Sequence, residues 1–128
     1  MAAVSKGAAG EVLAARFLRN RGYDILTAIY RTRLGEIDII AADKQYIAFV
    51  EVKTRNDAAI YAPREAVTKE KQRRILRTAA RFLQQHPTPL QPRFDVVEVL
   101  TAADDPMKVL EIDHIQGAYE AGDLQHAF

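Results

Sequence analysis

A chain of 128 residues, 48% apolar and 27% charged, fits one compact domain with a single core and has the composition of an ordinary soluble protein. It has no cysteine, which excludes disulfides, thiolate metal sites and a cysteine nucleophile; no apolar run reaches membrane-spanning length and the alanine-rich start lacks a signal-peptide core, so the expected location is the cytoplasm with no membrane partner. The net charge of +1 conceals a polar layout: residues 63–93 carry eight Lys or Arg against two Glu, and residues 98–128 carry seven acids against one lysine.

Lys6 to Arg21 reads as the first helix. Val12, Ala15 and Leu18, with Leu13 and Phe17, recur at steps of three and four, and Gly22 is placed to stop it. Glu11 lies at the edge of that stripe, near a helix start where the macrodipole favours an acid. Asp24 to Tyr30 is a first strand. Gly35 to Ala41 and Ile47 to Arg55 are two more, joined by the turn-like Ala42-Asp43-Lys44-Gln45 into an antiparallel hairpin. Asn56 to Ala62 is a loop. Pro63 suits a first helical turn, and His86-Pro87 ends the helix it opens. Val67, Ile75, Ala79, Phe82 and Leu83 give that helix an apolar stripe, while Arg73, Arg77 and Arg81 stack on another side. Those arginines read either as a phosphate-binding ridge or as a solvated face. Arg93 to Leu100 and Met107 to Ile112 are further strands around the acidic turn Ala103-Asp104-Asp105-Pro106, and a short helix is expected over His114 to Ala121. His86, His114 and His126 share no ligand spacing and read as structural or surface residues.

The hairpin carries the chemistry. Each of its strands is apolar and β-branched yet interrupted by charges at alternate positions, which places Glu36 with Asp38 on one face and Glu51 with Lys53 on one face. A two-residue turn centred on Asp43 and Lys44 sets Asp38 opposite Phe49. A four-residue turn from Asp43 to Tyr46 sets Asp38 opposite Glu51. Either register gathers Glu36, Asp38, Glu51 and Lys53 on one face, with Asp38 and Glu51 separated by roughly 5 to 8 Å between Cβ atoms. Carboxylates so grouped resist desolvation and repel one another unless a cation is held between them. The competing reading is an exposed sheet face on which Lys53 and Arg55 neutralise nearby acids, and spacing alone leaves both open.

Asp38 followed after a hairpin by Glu51-Val52-Lys53 resembles the metal-binding core of the PD-(D/E)XK nuclease superfamily, with Ile37 where the superfamily name has proline. The string GEIDIIA…FVEVKTR resembles, more narrowly, the YraN-like family of uncharacterised bacterial proteins, considered related to archaeal Holliday-junction resolvases. Gly10-Glu11, Arg21 to Leu26, Ala66-Val67-Thr68 with Lys71 and Arg74-Ile75, and Arg93 to Val97 match in order, so the resemblance covers about residues 7–119. It implies an α/β, restriction-endonuclease-like fold of α-β-β-β-α-β order, with a mixed sheet flanked by helices, in a single domain. It also implies a metal site in which Asp38, Glu51 and the Val52 carbonyl hold Mg²⁺ or Mn²⁺, Glu36 or Glu11 assists, and Lys53 orients water or offsets charge on the phosphate. Nucleic acid, DNA ranked ahead of RNA, would be held by Arg31, Arg33, Arg55, Lys71, Arg74, Arg77 and Arg81. Resolvase-like relatives suggest a homodimer. Three functions follow in rank: a metal-dependent endonuclease, a nucleic-acid binder of nuclease fold that does not cut, and a structural adaptor using the acidic C-terminal third.

Overall fold

The structure, a computed structural model, describes residues 6–59 and 67–119. Its elements are α1 (Lys6–Asn20), β1 (Asp24–Arg31), β2 (Glu36–Ala42), β3 (Tyr46–Asn56), one 3-10 turn (Asp57–Ala59), α2 (Lys69–Gln85), β4 (Gln91–Ala102) and β5 (Asp105–Ile115). The strands form one mixed sheet in the order β1-β2-β3-β4-β5. β3 and β4 run parallel and the other neighbours antiparallel. A parallel pair needs a crossover, and α2 lies within it. The order is therefore the expected α-β-β-β-α-β, with β5 added at the sheet edge.

The strands β2 and β3 are apolar on both faces because each face is covered. Leu13, Ala14 and Leu18 of α1 pack on Ile39, Ala41, Ala48, Val50, Val97 and Val99. On the other face Ile75, Leu76, Ala79 and Phe82 of α2 pack on Ile40, Ile47, Phe49 and Phe94. The stripe expected for α1 turns slightly: Val12 is 45% exposed, and Ala9, Leu13, Ala14 and Leu18 take the sheet. The hairpin turn has four residues, since the last pair is Ala42 with Ile47. Asp43 holds it, its Oδ1 accepting the Gln45 and Tyr46 amides at 2.8 and 2.6 Å.

Two expected boundaries are corrected. The second helix does not run continuously from Pro63, which lies outside the described residues. Val67 and Thr68 are not helical, and extended Thr68 caps α2 by accepting the Lys71 amide on its side chain. The expected helix over His114 to Ala121 is a strand at its start: β5 runs to Ile115, and His114 pairs with Val97. The cause is a buried polar cluster. Asp95, fully buried, accepts from the Arg93 guanidinium at 2.9 Å, contacts His114 Nε2 at 2.8 Å and accepts the Gly117 amide at 3.0 Å. Gly117 has φ +59, a left-handed turn that glycine adopts readily. Together these hold residues 114–117 against β4 rather than in a helix; residues 120 and 121 lie outside the described region.

Candidate functional site

The β2–β3 ladder runs from Ala42–Ile47 to Ile39–Val50 and stops. One step further, in the same register, Asp38 comes opposite Glu51. There Asp38 Oδ2 accepts the Val52 amide at 2.8 Å, so a side chain takes over a hydrogen bond that the ladder would otherwise make. Beside this point lies a cavity of about 110 Å³ lined by Glu36, Ile37, Asp38, Val50, Glu51, Lys71 and Ile75. Ile37, Val50 and Ile75 in its lining leave charge there poorly solvated.

Glu51 is 7% exposed. Its Oε1 is ion-paired with the Lys71 ammonium, and its Oε2 is buried without a hydrogen-bond partner. Burial pushes the Asp38 carboxyl above the usual carboxylate range; the Val52 amide pulls it down, Glu51 and Glu36 push it up, and Lys71 pulls it down. Glu11 is likewise pushed up, by partial burial first, then by Asp38 and Glu36, against a downward pull from Arg31. α1 can bring Glu11 into this field because Gly10 has no side chain: a Cβ there would stand 2.1 Å from Thr54 Oγ1 on β3.

Of the residues expected to form the site, Glu36, Asp38 and Glu51 share the cavity and Glu11 joins their electrostatic field. Val52 contributes its amide to Asp38. Lys53 follows Glu51 by two and shares its face, but it pairs in register with Glu98 of β4 and does not line the cavity. The expected nucleic-acid residues divide. Arg31 is ion-paired with Glu36 at 2.8 Å, and Arg74 with Glu70 at 2.6 Å. Arg33 is exposed in the turn before β2. Arg55 sits away from the cavity in a small pocket with Glu98, Glu111 and Asp113. Lys71, Arg74, Arg77 and Arg81, all exposed, recur at three- and four-residue steps and so form one inclined row along α2 that begins at the cavity.

The Lys71–Glu51 pair was not anticipated from the sequence. Its one local signal is a lysine in the first turn of a helix, where the macrodipole disfavours a cation. Among the described residues no group of three or more His, Asp or Glu is close enough together to hold a metal ion. Asp38 and Glu51 nevertheless fit a hard divalent cation: they offer only oxygen donors, and one of those oxygens, Glu51 Oε2, is buried and unpartnered.

The profile of the uncharacterised protein family UPF0102 matches residues 10–99, which include the whole hairpin, α2 and most of β4. The chain belongs to that family. A UPF0102 protein of Nocardia farcinica is 48% identical over 115 residues, covering 88% of this chain and 87% of the relative. One from Chlorobaculum tepidum is 43% identical over 120 residues, covering 91% and 93%. One from Alkaliphilus oremlandii is 45% identical over 116 residues, covering 88% and 96%. The likeness spans nearly the whole of each chain, as the YraN-like strings led us to expect. Among the described residues no helix is long and apolar enough to cross a membrane.

Proposed function

We propose that this UPF0102 protein binds nucleic acid, with DNA as the favoured substrate, and hydrolyses its phosphodiester bonds at the Asp38–Glu51 cavity with Mg²⁺ or Mn²⁺. The observation that carries this reading is the pairing of a buried, unpartnered Glu51 Oε2 with Asp38 in one cavity, at the head of a basic row on α2. Asp38, Glu51 and the Val52 carbonyl would hold the ion, with Glu36 or Glu11 assisting. When bound, the ion supplies a polarised phosphate and a water of lowered pKa.

The chain's own residues do the rest. Arg74, Arg77 and Arg81 hold the phosphate backbone, which gives affinity without sequence information. Lys71 starts that row, and its ammonium, exchanged from Glu51 to a phosphate oxygen, ties the backbone to the cavity. Lys53, on the Glu51 face, offsets charge that develops on the phosphate. Glu11, whose carboxyl is raised by partial burial and by Asp38 and Glu36, stands near enough to their field to assist.

The test is incubation of the purified protein with labelled linear, single-stranded and branched DNA and RNA, with and without Mn²⁺. Cleavage that requires Mn²⁺ and is lost in Asp38→Asn and Glu51→Gln is expected. Absence of cleavage on every substrate overturns the enzyme reading. A second reading, a binder of nuclease fold that does not cut, is favoured by one observation: Lys71 already neutralises Glu51 without a metal. It expects salt-sensitive binding of the same substrates with no cleavage.

A further inference from the structure

Among the described residues, two buried side-chain polar atoms lack a hydrogen-bond partner: Glu51 Oε2 and the Tyr119 hydroxyl. They belong to one neighbourhood. The Tyr119 ring stacks on Phe94 with centroids 5.5 Å apart, and Phe94 stacks on Phe49 at 5.4 Å. Phe49 and Phe94 are partners in the parallel β3–β4 register, and Glu51 follows Phe49 by two on the same face. A tyrosine stacked on Phe94 thus lies on the α2 side of the sheet beside the strand position of Glu51. Burial raises the Tyr119 hydroxyl above the ordinary tyrosine value, and the Glu51 charge is the next cause, as proximity requires.

The segment that delivers Tyr119 is held firmly. The Gly117 amide donates to Asp95 Oδ1 at 3.0 Å, and the Ala118 amide donates to the Phe94 carbonyl at 2.8 Å. A phenylalanine would make the same stack without burying a hydroxyl, so packing explains the ring and not the oxygen. One group is a donor and the other an acceptor. The terminal torsion of a glutamate is soft, so the Glu51 carboxylate can turn towards the hydroxyl without backbone movement.

We propose that Tyr119 is a positioning residue for Glu51: its hydroxyl donates to the carboxylate and fixes the orientation in which that group is presented to Lys71 or to a divalent cation. This rests on the metal-site reading above and adds to it a residue from beyond β5. Supports of a metal ligand commonly change metal affinity by about 10- to 100-fold when removed.

The experiment is a calorimetric Mn²⁺ titration of the full chain as wild type, Tyr119→Phe, Glu51→Gln and the double variant, with urea unfolding of the same four proteins in the absence of metal. Tyr119→Phe keeps the ring stack. It is expected to weaken Mn²⁺ binding about 10-fold or more, with no further loss on the Glu51→Gln background. The metal-free unfolding effects of the two substitutions are expected to be non-additive. Wild-type Mn²⁺ affinity in Tyr119→Phe overturns the proposal. If the wild type binds no Mn²⁺, the metal-site reading fails, and the unfolding cycle decides Tyr119 by itself: coupling supports the hydrogen bond to Glu51, and additivity overturns it.

Discussion

Glu51 is buried at 7% exposure while its counter-charge, Lys71, is about half exposed, so the pair is asymmetric. Removing Lys71 would leave a buried carboxylate without its counter-charge. Lys71→Met is therefore expected to cost about 1–3 kcal/mol of stability, and Mn²⁺ is expected to restore part of it. Urea unfolding with and without Mn²⁺ reads both effects. Asp38 poses the opposite problem. Burial holds its carboxyl above the usual range, so the folded protein binds that proton more tightly than the unfolded chain. Its burden on stability is absent below the ordinary carboxylate value and grows as pH rises through the folded value. Asp38→Asn, whose side-chain oxygen can still accept the Val52 amide, is expected to raise stability at neutral pH and to flatten the profile above about pH 4. A profile that keeps its wild-type slope in that variant would show that Asp38 is not the strained group. Asp95, fully buried where Asp38 is half-buried, nevertheless differs in the other direction: desolvation pushes it up, but bonds from His114, Arg93 and the Gly117 amide outweigh that and hold it low.

At the scale of elements, the close approach of α1 to β3 is the arrangement that brings Glu11 to the hairpin acids. Gly10→Ala would drive a Cβ into Thr54 Oγ1 and is expected to cost about 1–3 kcal/mol. Thr54→Ala on top of it removes the clashing oxygen and should recover most of the loss, as a thermal melt would show. The hairpin itself was legible in the sequence, because period-two alternation and a turn with Asp43 are local signals. Even the convergence of Asp38 and Glu51 was legible, since either even-length turn preserves it. The C-terminal end was not. Nothing near His114 announces that Asp95, nineteen positions earlier, will accept from it and hold it in a strand. The start of α2 was missed because Pro63 is a familiar opening residue, whereas Thr68 caps from five residues further on. The Lys71–Glu51 pair joins an early helical turn to a strand twenty residues earlier, and no periodicity encodes such a contact.

At the scale of the molecule, charge is arranged rather than accumulated. The near-neutral total hides a basic row on α2 leading from the cavity and acids gathered near β5, where Glu98, Glu111 and Asp113 surround Arg55. Replacing Arg77 or Arg81 by alanine is expected to weaken nucleic-acid binding on all sequences alike and to lower the log–log salt slope by about one unit each. Replacing Arg55 should leave that slope unchanged, and filter binding across a salt series separates the two. The central claim, that Asp38 and Glu51 form a divalent-cation site, is met most directly by a thermal melt across a Mn²⁺ titration of the wild type, Asp38→Asn and Glu51→Gln. Stabilisation by a ligand of the folded state grows with its concentration, reaching about 2.7 kcal/mol at one hundred times Kd. The wild-type melting temperature is predicted to climb with Mn²⁺ while both variants stay nearly flat; three parallel curves would contradict the site.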